Sequence, residues 1–167
     1  MKKLVFLLCS LCFATVLIAG GNMSTYTYPS DEPVMSIDIP SNWDIETDED
    51  GSLVATPKDE SIYLELFEVD DAEDLDDAIE YVGDIIDEWL SSVKIGDPET
   101  YDINGMKLIS FDGTGVDEDE DEILLTVALF SPDDDTVMMV LYFGTEEAET
   151  EHQAELNNII KGLQPIE

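Results

Sequence analysis

Two stretches, Ile123–Phe130 (ILLTVALF) and Thr136–Phe143 (TVMMVLYF), are apolar on successive residues rather than on alternate ones. A strand with one wet face alternates. A strand that does not alternate is covered on both faces. Only Ser131-Pro132-Asp133-Asp134-Asp135 separates the two runs, too little chain for a crossover helix, so they are read as hairpin-linked antiparallel neighbours. Met138 and Met139 then point to opposite faces, one under each covering layer.

The covering layers can also be read. Leu75, Ala78, Ile79, Val82, Ile85, Ile86, Trp89, Leu90 and Val93 keep a 3/4 spacing, which predicts an amphipathic helix over 72–93 with Trp89 in the core. Asp70 or Asp71 is its expected cap. A second helix follows Thr145, with Glu146, Glu147 and Glu149 in its first turns and Leu156, Ile159, Ile160 and Leu163 as its buried stripe. Gly162 and Pro165 end it.

The remaining segments read as strands. Met35, Ile37 and Ile39 alternate with Ser36 and Asp38, and Pro40 closes that run. Residues 43–47 and 52–56 flank an Asp50-Gly51 turn, and 61–69 is rich in β-formers. Residues 99–103 and 106–111 flank Asn104-Gly105, the strongest short-range hairpin signal in the chain. The predicted class is α+β, a three-layer α-β-α sandwich around a central antiparallel sheet.

Residues 1–21 read as a cleaved signal peptide: Lys2 and Lys3 precede an apolar stretch that ends in Ala19-Gly20-Gly21. A retained anchor is the minor alternative, although no basic stop-transfer cluster follows. Cys9 and Cys12 both leave with this segment, so the mature chain has no disulfide and no thiol nucleophile. The expected location is periplasmic or secreted, with no membrane insertion after cleavage. Residues 22–34, polar and aperiodic, read as a flexible arm, and 35–167 as a single domain.

Charge narrows the function classes. The chain carries 41 Asp and Glu against 6 lysines and no arginine, a formal charge of −35. Losing residues 1–21 removes Lys2 and Lys3 but no acid, which leaves 4 lysines against 41 acids and a charge of −37. A nucleic-acid partner is excluded, since nothing would neutralise phosphates. A basic protein partner or cations fit.

The layout resembles the PsbP-like group, which includes Mog-type Ran-binding proteins and bacterial DcrB-type proteins. The resemblance rests on Ile39-Pro40-Ser41-Asn42-Trp43, the helix over 72–93, Ile103-Asn104-Gly105-Met106, the paired apolar strands, and Ile159-Ile160-Lys161-Gly162-Leu163. It spans about residues 34–164. It implies the same three-layer sandwich and a binding or assembly role rather than an enzyme. The group includes an extrinsic photosystem subunit, a GTPase-binding protein and chaperone-like partners of secreted effectors. It offers no shared catalytic residue to carry over.

Local motifs add little chemistry. His152 is the only histidine, and without a Gly-x-Ser-x-Gly elbow or a surviving cysteine it reads as an ordinary helix residue. Glu46, Asp48 and Asp50 before Gly51 resemble the opening of a calcium loop, but Pro57 stands where a bidentate Glu belongs. A hairpin turn is the simpler reading, with weak Ca²⁺ or Mg²⁺ binding as the alternative and no cofactor expected. Asp117, Glu118, Asp119, Glu120, Asp121 and Glu122 form an unbroken acidic run, the candidate surface for a basic partner. Asp133-Asp134-Asp135 belongs at the opposite end of the sheet. Trp43 is expected to pack beneath the sheet edge.

Three functions follow as expectations. The first is an exported, acidic, non-enzymatic binding module. The second is a saline-adapted periplasmic protein whose acidity is only solubility. The third is a small carboxylate-dependent hydrolase.

Overall fold

The computed structural model of the chain describes residues 22–48, 51–70, 72–87, 89–117 and 119–166. The segment read as a signal peptide lies outside them. The elements run β1 (Met23–Tyr28), β2 (Met35–Pro40), β3 (Asp44–Thr47), β4 (Leu53–Thr56), β5 (Ile62–Glu68), α1 (Leu75–Asp87) and β6 (Ser91–Ile95). Then come β7 (Glu99–Ile103), β8 (Met106–Val116), β9 (Glu122–Phe130), β10 (Met138–Gly144), α2 (Glu146–Lys161) and β11 (Gln164–Pro165).

Eight strands form one antiparallel sheet in the order β3-β4-β5-β10-β9-β8-β6, with β7 also paired to β8. The two non-alternating runs, β9 and β10, lie at its centre, in register from Met138 opposite Phe130 to Gly144 opposite Leu124. Their residues divide between two cores. Ile123, Leu125, Val127, Leu129, Met139 and Leu141 join Ala78, Val82 and Ile86 of α1. Ala128, Phe130, Met138 and Val140 join Leu156 and Ile159 of α2 and the inward residues of β2. Met138 and Met139 thus serve opposite faces, and the chain is the expected three-layer α+β sandwich. Each fully buried Leu or Met contributes roughly 1.5–3 kcal/mol of transfer free energy.

Three differences from the sequence reading have physical causes. Residues 22–34 are not a loose arm throughout, because β1 pairs with β2 from Met23 opposite Pro40 to Tyr28 opposite Met35. Its β-forming Thr and Tyr residues fix the ladder, and the Thr25 hydroxyl donates to Asp38 Oδ1 at 2.6 Å. On the other side of β2 lies β11, so a small sheet β1-β2-β11 shares the α2 layer.

The first helix begins later and ends earlier than its periodicity implied. Its cap is Asp74, whose carboxylate accepts the amides of Asp76 and Asp77 at 2.9 Å each. At its far end Leu90 turns into the core against Gly115 of β8, where a Cβ would come within 2.9 Å of the leucine side chain. The chain then extends as β6, so Val93 keeps the helical spacing only by coincidence. Trp89 is 42% exposed rather than core. Its ring rests beside Tyr63 at 5.3 Å and Phe143 at 6.1 Å between centroids.

The second helix follows its reading closely. Thr145 accepts the Ala148 amide through its hydroxyl at 3.2 Å, and Gly162 closes the last turn. Among the described residues no helix is long and apolar enough to cross a membrane.

Candidate functional site

The Asn104-Gly105 turn does more than reverse the chain. Both residues have positive φ, 52° and 87°, as a two-residue hairpin of this twist requires. This geometry presents the Asn104 amide to the end of α2, where Nδ2 donates to the carbonyls of Lys161 at 3.0 Å and Leu163 at 2.7 Å. The hairpin β7–β8 is thereby pinned to the helix C-terminus at one end. Toward the other end the two elements leave a groove of about 380 Å³.

The groove is apolar below and acidic at its mouth. Leu108, Ala128, Tyr142 and Leu156 line the floor, with Tyr101, Ile103 and Ile160 on the walls. At the mouth, Thr126 donates its hydroxyl to Asp112 Oδ1 at 2.7 Å. Glu149 of α2 is half-buried and lines the same space. Burial raises its pKa above the ordinary carboxylate value, and the neighbouring Asp112 and Glu146 raise it further. Burial also raises the Tyr142 phenol; the hydrogen bond with Thr126 pulls the other way, and Glu149 and Asp112 add to the rise. Lys161, beside the pinned end, is the only cation in the lining. The lining holds neither histidine nor cysteine.

A second polar constellation lies where α2 meets the β4–β5 loop. The His152 side chain is 12% exposed. Its Nδ1 lies 2.7 Å from Glu155 Oε2 and its Nε2 lies 3.3 Å from Asp59 Oδ2. Trp43, which is 4% exposed as expected for a residue under the sheet edge, donates Nε1 to the same Glu155 oxygen at 3.3 Å. The Trp43 and His152 rings meet edge to face at 5.8 Å. Burial lowers the histidine pKa, but the bonds and charges of Glu155 and Asp59 outweigh it, and the net shift is upward. His152 fastens the helix to the loop. The sequence reading of His152 as an ordinary helix residue missed all three partners: Glu155 is one helical turn on, while Asp59 and Trp43 are distant in the chain.

The residues singled out by sequence lie elsewhere. Glu46 is exposed on β3, and Asp48 is exposed in the following turn, where its amide donates to the Ser52 carbonyl at 3.0 Å and its carbonyl accepts the Gly51 amide at 3.0 Å. Asp50 lies outside the described residues. Asp117 folds the acidic run into a tight turn between β8 and β9, its carboxylate accepting the amides of Asp119 at 3.0 Å and Asp121 at 2.9 Å. Glu120 is exposed in that turn, Glu122 already belongs to β9, and Glu118 lies outside the described residues. Among the described residues no three His, Cys, Asp or Glu side chains are grouped to hold a metal ion. The groove has no local sequence signal, because its lining comes from β7, β8, β9, β10 and α2.

No family model matches the chain, and no curated protein matches it. Solved structures do. The solution structure of cyanobacterial PsbP from Synechocystis is similar with a TM-score of 0.64 at 10% identity, over 87% of this chain and 94% of that one. LpqN of Mycobacterium tuberculosis, involved in cell envelope biogenesis, is similar with a TM-score of 0.58 at 10% identity, over 88% of this chain and 93% of that one. PA94 of Pseudomonas aeruginosa, a protein of unknown function, is similar with a TM-score of 0.53 at 12% identity, over 88% of this chain and 99% of that one. At such identities the likeness is one of architecture: this chain has the PsbP-like fold that its paired apolar strands and Asn-Gly hairpin implied.

Proposed function

We propose that this protein is an exported, non-enzymatic binding module whose groove between α2 and the β7–β8 hairpin receives a basic, apolar-anchored segment of a partner protein. One observation carries the reading. Glu149 is a half-buried carboxylate that lines the same groove as Asp112, and among the described residues it has no ion-pair partner. A lysine or arginine seated there would relieve the cost of that burial, while its neighbours cover the apolar floor. The role of LpqN in cell envelope biogenesis supports an exported setting. The acidity of the whole surface supports fast capture of a cationic partner.

A second reading, acidity as solubility, is favoured by α1. Its exposed Asp76, Glu80, Asp84 and Asp87 belong to the opposite layer from the groove and line none of it. The two readings therefore apply to different surfaces.

The test is a titration with the capped peptide Thr-Lys-Thr-Ile-Thr-Lys-Thr and its twin carrying Glu in place of Lys. The lysine peptide is expected to bind, with affinity falling about tenfold in Glu149→Gln and falling again with added NaCl. Equal affinity for both peptides, or no change in Glu149→Gln, would overturn the reading.

A further inference from the structure

The outer wall of the groove is also an edge of the sheet. Strands β6 and β7 follow one another along the same side of β8: Lys94 and Ile95 lie opposite Thr114 and Gly113, and Glu99 to Ile103 lie opposite Ser110 to Met106. Between them Gly96 donates its amide to the Asp112 carbonyl at 2.8 Å, so the ladder continues through the break. No strand pairs with the other side of β7 among the described residues.

The register shows which backbone groups face outward. Across a two-residue turn Ile103 and Met106 form a hydrogen-bonded pair, and such pairs alternate along an antiparallel ladder. Tyr101 and Glu99 therefore also spend their amides and carbonyls on β8. The N–H and C=O groups of Thr100 and Asp102 point away from the sheet.

Edges are usually blunted by brevity, charge or cover. The opposite edge, β3, has four residues and its Asp44 is bridged by Lys58 at 3.2 Å. The β6–β7 edge is longer and carries two of the chain's exposed large apolar residues, Ile95 at 38% and Tyr101 at 46%. Its charges are chiefly acidic: Asp97, Glu99 and Asp102 against Lys94. A two-fold pairing of two such edges would set acids against acids, which disfavours a second copy of this chain. A basic strand meets the opposite situation.

We propose that β7 accepts the partner segment as an added β-strand, with Thr100 and Asp102 supplying its backbone hydrogen bonds and the segment's alternate side chains turning into the groove. This rests on the groove reading and states how the segment is held. An added strand would lie about 4.8 Å beyond β7. Its groove-facing residues stand beside Glu99, Tyr101 and Ile103, the side of β7 that lines the cavity, with Asp112 and Glu149 at the mouth. Its other residues face solvent and are free in sequence. Main-chain bonds then give affinity while the acidic mouth gives selectivity.

The experiment uses the same capped lysine peptide and two N-methylated versions, one methylated at the odd residues and one at the even residues. A strand seated on β7 turns alternate amides toward Thr100 and Asp102, so one methylated version is expected to lose binding and the other to keep it. Thr100→Pro removes an outward-facing N–H while sparing the ladder to β8, a place where an edge strand tolerates proline. It is expected to bind the peptide roughly tenfold more weakly, and hydrogen exchange at Thr100 and Asp102 is expected to slow when peptide is added to the native protein. If Thr100→Pro does not fold, the two methylated peptides decide the matter alone. Loss of affinity in Glu149→Gln with no difference between the methylated peptides would overturn strand addition and leave the groove reading standing. Unchanged affinity in every case would overturn both, and a peptide-independent dimer by sedimentation that Thr100→Pro abolishes would assign the edge to a second copy instead.

Discussion

The two faces of the large sheet are made from alternate residues of the same strands, yet they are finished differently. On one face α1 closes directly over β9, and its Ala78, Val82 and Ile86 meet Leu125, Val127 and Leu129 in a sealed apolar layer. On the other face the cover is shared between α2 and the small sheet β1-β2-β11, and toward β7 and β8 it stops short. Both faces carry a buried apolar cluster, but beside β7 and β8 the α2 face leaves a groove. Apolar patterning tells which face is covered. How far the cover reaches depends on where a helix is pinned, and here Asn104 pins the C-terminal end of α2 while His152 fastens it to the β4–β5 loop.

Measurements of stability can break this contrast. Leu129→Ala opens a cavity in the sealed layer and is expected to cost about 2–5 kcal/mol in urea unfolding. Ile160→Ala on the groove wall should cost about 1 kcal/mol or less, because its side chain is already part-exposed. Similar costs at the two sites would mean that the faces are equally closed. Asn104→Gly keeps the turn conformation but removes the side-chain bonds to Lys161 at the end of α2 and to Leu163 just beyond it, with an expected loss of about 1–2 kcal/mol. Peptide binding should weaken with it, since the groove loses its pinned end.

The outer surface of the sealed face offers a smaller effect. Glu80 and Asp84 are like charges four residues apart on α1, and Asp84→Lys turns them into an attractive pair. A gain of about 0.5 kcal/mol is expected at low ionic strength. The native protein should gain stability with NaCl and more with millimolar Ca²⁺ or Mg²⁺, and the variant's NaCl dependence should be shallower. A native melting series flat from low to molar salt would remove repulsion as a factor.

The subtlest effect belongs to His152, on the α2 side. Its folded pKa is raised above the ordinary 6.5, so the protonated form is held more tightly in the folded state. The stability it contributes is complete below about pH 6.5 and is lost as pH rises through the raised folded value. Glu155, Asp59 and Trp43 are the groups that face it. His152→Gln should flatten that slope in unfolding measured from pH 5 to 9; an unchanged slope would place its origin elsewhere.

Much of the architecture was legible because it rests on short-range rules. The successive apolar residues of β9 and β10, the Thr145 cap and the Asn104-Gly105 turn each declare themselves within a few positions. The boundaries of α1 were not legible, since Leu90 and Val93 keep a helical spacing while serving a turn and a strand. Trp89 fell on the same apparent stripe, yet it packs on Tyr63 and Phe143 at the surface. The β1 strand was hidden because its ladder partner, not its own periodicity, orders it. The groove was beyond reach for a similar reason: Tyr101, Asp112, Thr126, Tyr142 and Glu149 come from five elements, and only tertiary packing assembles them.

The small sheet has a consequence for how the chain completes itself. Strand β2 takes its first neighbour, β1, from residues that precede it, and its second, β11, from residues that follow α2. Beside this pairing, the amide of Ile166 donates to the carbonyl of Val34 at 2.9 Å. A polypeptide is made from its N-terminus, so β2 waits half-paired until α2 and β11 have been made. A chain broken off before β11 would keep that edge open as a mark of incompleteness, readable by any protease or chaperone that recognises unpaired backbone.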